Sequence, residues 1–167
     1  MLPPRAEYRR SVTSIATADL YDERGEQLDS LSLQLRDFGG VVSFHGPIRT
    51  VRCFGDNALV KSVLATPGDG SVLVVDGGGS LQSALVGDLL AATGTANGWA
   101  GLILNGAIRD RAVIATLSIG VKALGSNPRR SSKEGTGELD IPVTFGGVSF
   151  RPGAHLWADA DGVLVER

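Results

Sequence analysis

The chain is poor in the side chains that most often carry chemistry. It has one cysteine, two histidines and one methionine among 167 residues, and aromatics make up 5%. The lone thiol, Cys53, cannot form an intrachain disulfide or a cysteine zinc site. It suits a reducing compartment. The formal net charge is −2 and the pI about 5.6. A general nucleic-acid binder needs a basic face to neutralise phosphates, so nucleic acid is not an expected partner. No apolar h-region follows the N-terminal basic residues, so no signal peptide is predicted, and a cytoplasmic location is expected. The longest uncharged stretch, Leu89–Ile108, is twenty residues. That length could suit a membrane span. However, Gly94, Asn97, Gly98, Gly101, Asn105 and Gly106 divide it into a helix end, a turn and a buried strand. No membrane association is expected. There is no internal repeat and no low-complexity tract.

Glycine is what the chain has in excess, at 23 residues. Ordinary usage is about 7%. There is no Gly-x-y period, and strong Val/Leu runs exclude a disordered chain. The length fits one domain, whose core buries about two thirds of the unfolded surface. Residues 1–12 look like a flexible leader, and 13–167 form the domain.

Residues 14–26 favour a short helix. Val41–Phe44 reads as a strand, Gly46-Pro47 as a turn, and Ile48–Phe54 as a half-buried strand. Asp56 is a plausible N-cap for a helix that Pro67-Gly68 stops. Val72–Val75 is a continuous apolar run, as in a strand covered on both faces. Helix signals span 85–96. Gly101–Leu104 is a second buried strand ending at Asn105-Gly106. A short helix follows Arg109-Asp110, and Ile119–Leu124 is a third strand. Residues 125–137 read as a polar loop. Strand signals follow at 141–145, 148–150, 155–158 and 163–166. The middle is thus β-α-β-α-β. The fold class is α/β, with a parallel core sheet, helices on one face and a second sheet or partial barrel on the other.

In open α/β folds ligands gather at the carboxyl ends of strands. The loop Asp76-Gly77-Gly78-Gly79-Ser80 follows one such end. It lacks a Walker Gly-Lys-Ser/Thr and a dinucleotide third glycine, and a ligand-free tight turn explains it as well as a cradle does. A helix starting near Gly87 would point the amides of Asp88, Leu89 and Leu90 at a small anion such as a substrate carboxylate. The competing explanation makes Gly87 a packing glycine and Asp88 a first-turn acid that merely favours the dipole. Arg109 can grip a carboxylate or an enolate oxygen, and Asp110 can hold a hard divalent cation; a surface ion pair is the plain alternative. Asp88 precedes Arg109 by twenty-one residues, giving Asp-x20-Arg-Asp, and adjacent βα units would bring both to one rim of the sheet. His45 and His155 are read as structural or surface histidines. Cys53, Trp99 and Trp157 are read as packing residues. The basic run Arg129–Lys133 is read as part of the solvated loop.

The stretch GGGSLQSALVGDLLAATGTANGWAGLILNGAIRD resembles the family that joins the regulator of ribonuclease activity A to the class II 4-hydroxy-4-methyl-2-oxoglutarate aldolases. So do FGGVVSFHGPIRTVRCFGDNALVKSVL, ALGSNPRRSSKEGTGELDIPVTFGGVSFRPG and WADADGVLVE. The resemblance covers nearly everything from Thr13 to Glu166. It implies a β/β/α sandwich, RraA-like, assembled as a homotrimer with active sites near subunit interfaces. It also implies cleavage of 4-hydroxy-4-methyl-2-oxoglutarate into two pyruvates, decarboxylation of oxaloacetate, and a divalent metal, magnesium before manganese. On this chain Asp110 would anchor the metal, and Arg109 would bind the 2-oxo acid substrate and steady the enolate. The Gly87-Asp88-Leu89-Leu90 backbone would hold the pyruvyl carboxylate, and Asp88 would belong to the acidic pattern of the aldolases. The regulators tend to lose this pattern or to carry extra acids just after the Arg-Asp position, and here Arg111–Ile114 contains none, which the resemblance reads in favour of an enzyme. Some members bear the label of menaquinone methyltransferase, but no methyl-donor fingerprint is visible.

Retro-aldol cleavage and decarboxylation both store an electron pair as a pyruvate enolate. A lysine Schiff base is one route. Only Lys61, Lys122 and Lys133 are available, and none follows a strand end beside the anion site. A Lewis-acid cation aided by Arg109 is the other route. The base for the 4-hydroxyl is expected to be a water on the cation, with Asp88 orienting it, rather than a side chain. The alternatives to a metal-dependent aldolase are a non-catalytic regulator that binds and inhibits ribonuclease E, and a trimeric scaffold with a vestigial site.

Overall fold

The computed structural model describes residues 15–167; the expected leader, 1–12, lies outside them. The chain opens with helix α1 (Thr17–Arg24), a 3-10 turn (Gly25–Gln27) and short strands β1 (Leu28–Ser30) and β2 (Arg36–Asp37). Next come β3 (Phe44–Arg52), α2 (Ala58–Leu64), β4 (Val72–Asp76), β5 (Ala84–Val86) and α3 (Asp88–Ala96). They are followed by β6 (Gly101–Ile108), α4 (Arg111–Ile114) and β7 (Gly120–Ser126). The chain ends in β8 (Glu138–Leu139), β9 (Val143–Phe145), β10 (Val148–Phe150), β11 (His155–Asp159) and β12 (Gly162–Glu166).

The main sheet runs β1-β12-β11-β3-β4-β6-β7-β2, with β5 against β6 and β8 against β3. Strands β3, β4, β6 and β7 are parallel; the wing β11-β12-β1 is antiparallel. The side-chain period of two splits the core. Leu73, Val75, Leu102, Leu104, Val121 and Ala123 meet the helices through Val60, Leu64, Ala91 and Ile114. Val72, Val74 and Ile103 meet Phe150, Leu156, Val163 and Val165 on the other face. This is the expected sandwich, a mixed sheet with few helices.

Several boundaries differ from expectation. Gly46-Pro47 is not a turn: β3 runs straight through it. Residues 44–47 pair with β11 and 48–52 with β4, so Pro47 sits at the change of partner. Gly46 is needed because a Cβ there would collide with the Gly70 carbonyl. Val41 makes only an isolated bridge to Gly120, and the strand begins at Phe44. Ala84–Val86 is a strand rather than a helix start, drawn into pairing with Ala107 and Ile108. Asn105-Gly106 does not end β6, which absorbs the pair as a register shift between Leu104 and Ala107.

The 125–137 stretch is largely exposed, as expected of a polar loop, but its backbone is pinned to the core. Asp56, 1% exposed, accepts Ala58 N–H on one oxygen and the N–H groups of Glu134, Gly135 and Thr136 on the other. These backbone donors hold its carboxyl down at about 2. Ser131, buried, donates to Ala84 O at 2.7 Å, and Ser132 O accepts Asn57 N–H. His45 and His155, distant in sequence, face each other with Nδ1 and Nε2 2.9 Å apart. Burial, with the His45 charge second, holds His155 below its ordinary value.

Candidate functional site

The site forms where β5, β6 and their following helices end side by side. Arg109 N–H donates to Val86 O, which ties the end of β6 to the end of β5. Asp110 then turns left-handed, with φ 59° and ψ 41°, a conformation rare for a residue with a Cβ and concentrated at functional sites. Its Oδ2 accepts the Asp88 N–H at 3.0 Å, at the mouth of α3. Arg109 Nε lies 3.8 Å from the same oxygen, and Arg109 Nη1 reaches Pro128 O at 3.4 Å. Gly87 makes the approach possible: a Cβ there would stand 2.7 Å from Asp110 Oδ2.

The predicted residues are thus brought together, but the helix mouth is not open as expected. The Asp88 amide is taken by Asp110, and the Leu89 amide by Asp88's own Oδ1 at 2.8 Å. Of the three predicted anion-binding amides, only that of Leu90 has no acceptor among the described residues. Gly87–Leu90 and Arg109 line a cleft of about 170 Å³. Asp110 lines a neighbouring recess of about 290 Å³ with Arg109, Arg111, Ser126, Asn127 and Pro128. Arg109 is common to both. The side chains of Arg109 and Asp110 are 42% and 37% exposed, so both reach solvent.

The cleft also contains residues that the sequence did not place there: Asn57, Lys61, Thr93, Arg130 and Lys133. The Arg129–Lys133 run was the available signal, and the packing of its loop was not visible in it. By contrast, the glycine-rich loop is a tight turn. Gly77 and Gly79 N–H donate to Asn105 O, Gly78 N–H to Asp76 Oδ1, and Ser80 N–H to Gly77 O, so none of these amides faces a ligand. Lys122 is excluded as a Schiff base: it is 2% exposed and its Nζ is 2.9 Å from Asp37 Oδ1. Burial pushes the Cys53 thiol up to about 12, which makes it inert at neutral pH. Trp99 packs and donates to Thr66 O.

Among the described residues no three His, Cys, Asp or Glu side chains cluster to hold a metal by themselves. Asp110 Oδ1 and Asp88 Oδ2 have no partner there. A single oxygen ligand, or two, with water completing the shell suits magnesium or manganese; zinc would want imidazole or thiolate. The donor set therefore fits a hard divalent cation held through Asp110. No helix of the described residues is long and apolar enough to cross a membrane.

The sequence and fold have clear relatives. The structure matches a protein from Geobacillus kaustophilus HTA426 described as S-adenosylmethionine:2-dimethylmenaquinone methyltransferase, with 48% identity and TM-score 0.90 over 91% of this chain and 94% of that one. It matches the RNA-processing inhibitor RraA from Thermus thermophilis at 45% identity and TM-score 0.89, covering 92% and 93%. Streptomyces coelicolor RraAS2, described as an unusual member of the RNase ES inhibitor RraA family, is 29% identical with TM-score 0.73, covering 99% and 86%. The family model RraA-like (Aldolase/RraA) matches residues 17–165, and the chain belongs to the RraA-like family.

Proposed function

We propose that the chain is a divalent-cation-dependent lyase of pyruvyl compounds. It cleaves 4-hydroxy-4-methyl-2-oxoglutarate into two pyruvates and, secondarily, decarboxylates oxaloacetate. The observation that carries this reading is the convergence of Arg109, Asp110 and the α3 mouth, with Asp110 Oδ2 3.0 Å from the Asp88 amide. Both reactions push an electron pair onto the substrate's 2-oxo oxygen. Arg109 offers that oxygen a permanently charged donor, held at the strand end and paired to Asp110 only at 3.8 Å. The Leu90 amide and the α3 dipole draw the C1 carboxylate. Asp88 swings off the Leu89 amide to admit it, and the freed carboxylate then orients the water that takes the 4-hydroxyl proton. Asp110, with Asp88 beside it, would hold the magnesium or manganese ion, which as a Lewis acid supplies several kcal/mol of charge stabilisation. The proposal includes a cytoplasmic homotrimer with its sites near subunit interfaces.

The test is pyruvate release from both acids, with magnesium and with a chelator. Magnesium-dependent release from both is expected; equal rates with and without chelator would reject the metal mechanism. A second reading is a non-catalytic regulator that binds and inhibits ribonuclease E; its motivation is the 45% identity to the Thermus RNA-processing inhibitor. A chain inactive on both acids that lowers RNA cleavage by ribonuclease E would establish it.

A further inference from the structure

The cleft beside α3 carries more positive charge than one carboxylate requires. Lys61, Arg109, Arg130 and Lys133 line it, against a single acid, Asp88. Among the described residues, Lys61, Arg130 and Lys133 have no ion-pair partner. Like charges gathered without a counter-ion repel, so something must hold them there. The backbone does so. Residues Arg130 and Lys133 flank Ser131, which is buried, and Ser132 on a segment fixed at both ends. Ala84 bridges to Arg130, and Asp56 bridges to Ser132 and gathers the amides of residues 134–136. Lys61 comes from α2, one turn after Asn57, which lines the same cleft with a buried Oδ1 that lacks a hydrogen-bond partner.

We propose that Lys61, Arg130 and Lys133 form a distal anion subsite for the second carboxylate of a 2-oxo dicarboxylic substrate, and that it favours cleavage that keeps this carboxylate over decarboxylation. The inference rests on the function proposed above. In the retro-aldol step the C3–C4 bond breaks, its electron pair passes to the enolate of one pyruvate, and the 4-hydroxyl loses its proton. The C5 carboxylate leaves still charged, on the second pyruvate. In oxaloacetate the same pair comes from a carboxylate that departs as neutral CO₂. In both cases the enolate then takes a proton to become pyruvate. Cations on the distal carboxylate therefore stay matched throughout cleavage. During decarboxylation they lose their counter-charge on the way to the transition state, so they stabilise the reactant more than the transition state.

The experiment uses the full chain with magnesium, the exposed-site variants Lys61→Met and Arg130→Gln, and the charge-keeping Lys61→Arg and Arg130→Lys. The neutral variants should lower the ratio of cleavage kcat to decarboxylation kcat by about tenfold, one charge-assisted contact's worth. The charge-keeping variants should stay within about threefold of the starting ratio. Calorimetry supplies a second readout. The neutral variants should lose affinity for 2-oxoglutarate and keep their affinity for pyruvate. An unchanged ratio, or equal losses for both ligands, overturns the subsite. So does inorganic phosphate binding that these variants abolish while the preference for 2-oxoglutarate over pyruvate is unaltered; the cations would then serve a free anion. Should the unmodified chain release no pyruvate from either acid, the lyase reading fails, and calorimetry alone decides the subsite.

Discussion

Replacing Gly87 with alanine tests the site at its tightest point. The backbone there is extended, with φ −117° and ψ −167°, so alanine brings no strain of its own. The new Cβ would stand 2.7 Å from Asp110 Oδ2 and 3.4 Å from Arg109 Cγ and Nε, where ordinary contact begins at 3.4 Å. The Asp110 carboxylate must therefore withdraw by about 0.7 Å. Its bond to the Asp88 amide, now 3.0 Å, then stretches beyond hydrogen-bond range. A lost hydrogen bond to a charged group is worth about 1.5–3 kcal/mol, and a displacement near 1 Å at a reacting centre can cost about a hundredfold. We expect kcat/KM for pyruvate release to fall by about 30- to 100-fold, through displacement of Asp110 and Arg109 together. The melting temperature should move by only a few degrees, because the clash involves side-chain ends at a partly open surface. Kinetics and thermal unfolding on the same preparation check both halves. A variant within threefold of the parent in kcat/KM would show that the Asp110–α3 contact does not organise the chemistry. A collapse in melting temperature would assign any loss to folding instead.

Arg109→Ala and Asp110→Asn should each lower kcat/KM by at least about a hundredfold, as loss of one major electrostatic group does; a change under threefold in either removes that residue from its role. Asp56 is held at about 2, below the ordinary 3.8. Its stabilisation is therefore complete above pH 3.8 and is lost as pH falls toward 2. Asp56→Asn should flatten acid unfolding in that window and speed amide exchange at residues 134–136, and an unchanged acid limb in the variant refutes the assignment. For the Lys122–Asp37 pair the two partners should respond unequally. Asp37→Ala strands a buried ammonium and should lower stability in urea by about 3 kcal/mol, whereas Lys122→Met leaves an acid that can reach water and should be much milder. The opposite order would sink that reading of the pair.

The long strands and the two strand-end clusters were legible in the sequence because each depends on short-range pattern. Val72–Val75 and Gly101–Leu104 read as buried strands from composition alone, and both lie at the sheet centre. The Asp-x20-Arg-Asp spacing placed Asp88 and Asp110 on one rim because consecutive parallel strands carry their following residues to the same edge. What failed was local turn chemistry overruled by distant partners. Gly46-Pro47 and Asn105-Gly106 look like turns until β11, β4 and β7 are present to pair with their flanks. The same holds for residues 129–136. Asp56 was recognisable as an N-cap, but the amides that fill its second oxygen lie 78 to 80 residues away. Without that link the basic run looks like a loop held by nothing. With it, the run becomes one wall of the cleft.

The mouth of α3 shows why pattern places an anion site more easily than it describes one. A helix start with a glycine promises free amides, and an acid nearby promises a metal ligand, yet the same physics lets the acid fill the amides. Here Asp110 and Asp88 do so, one oxygen each. Two consequences follow. Asp110 is oriented before any ligand arrives, because the Asp88 amide and Gly87 fix one oxygen and leave the other free. On the function proposed above, substrate entry would by contrast be an exchange of carboxylates at the Leu89 amide, so its driving force must come from elsewhere in the cleft. Arg109, Lys61, Arg130 and Lys133 are the groups there that can supply it. On the function proposed above, affinity would therefore draw on Lys61, Arg130 and Lys133, outside the Asp-x20-Arg-Asp motif, as well as on Arg109 within it.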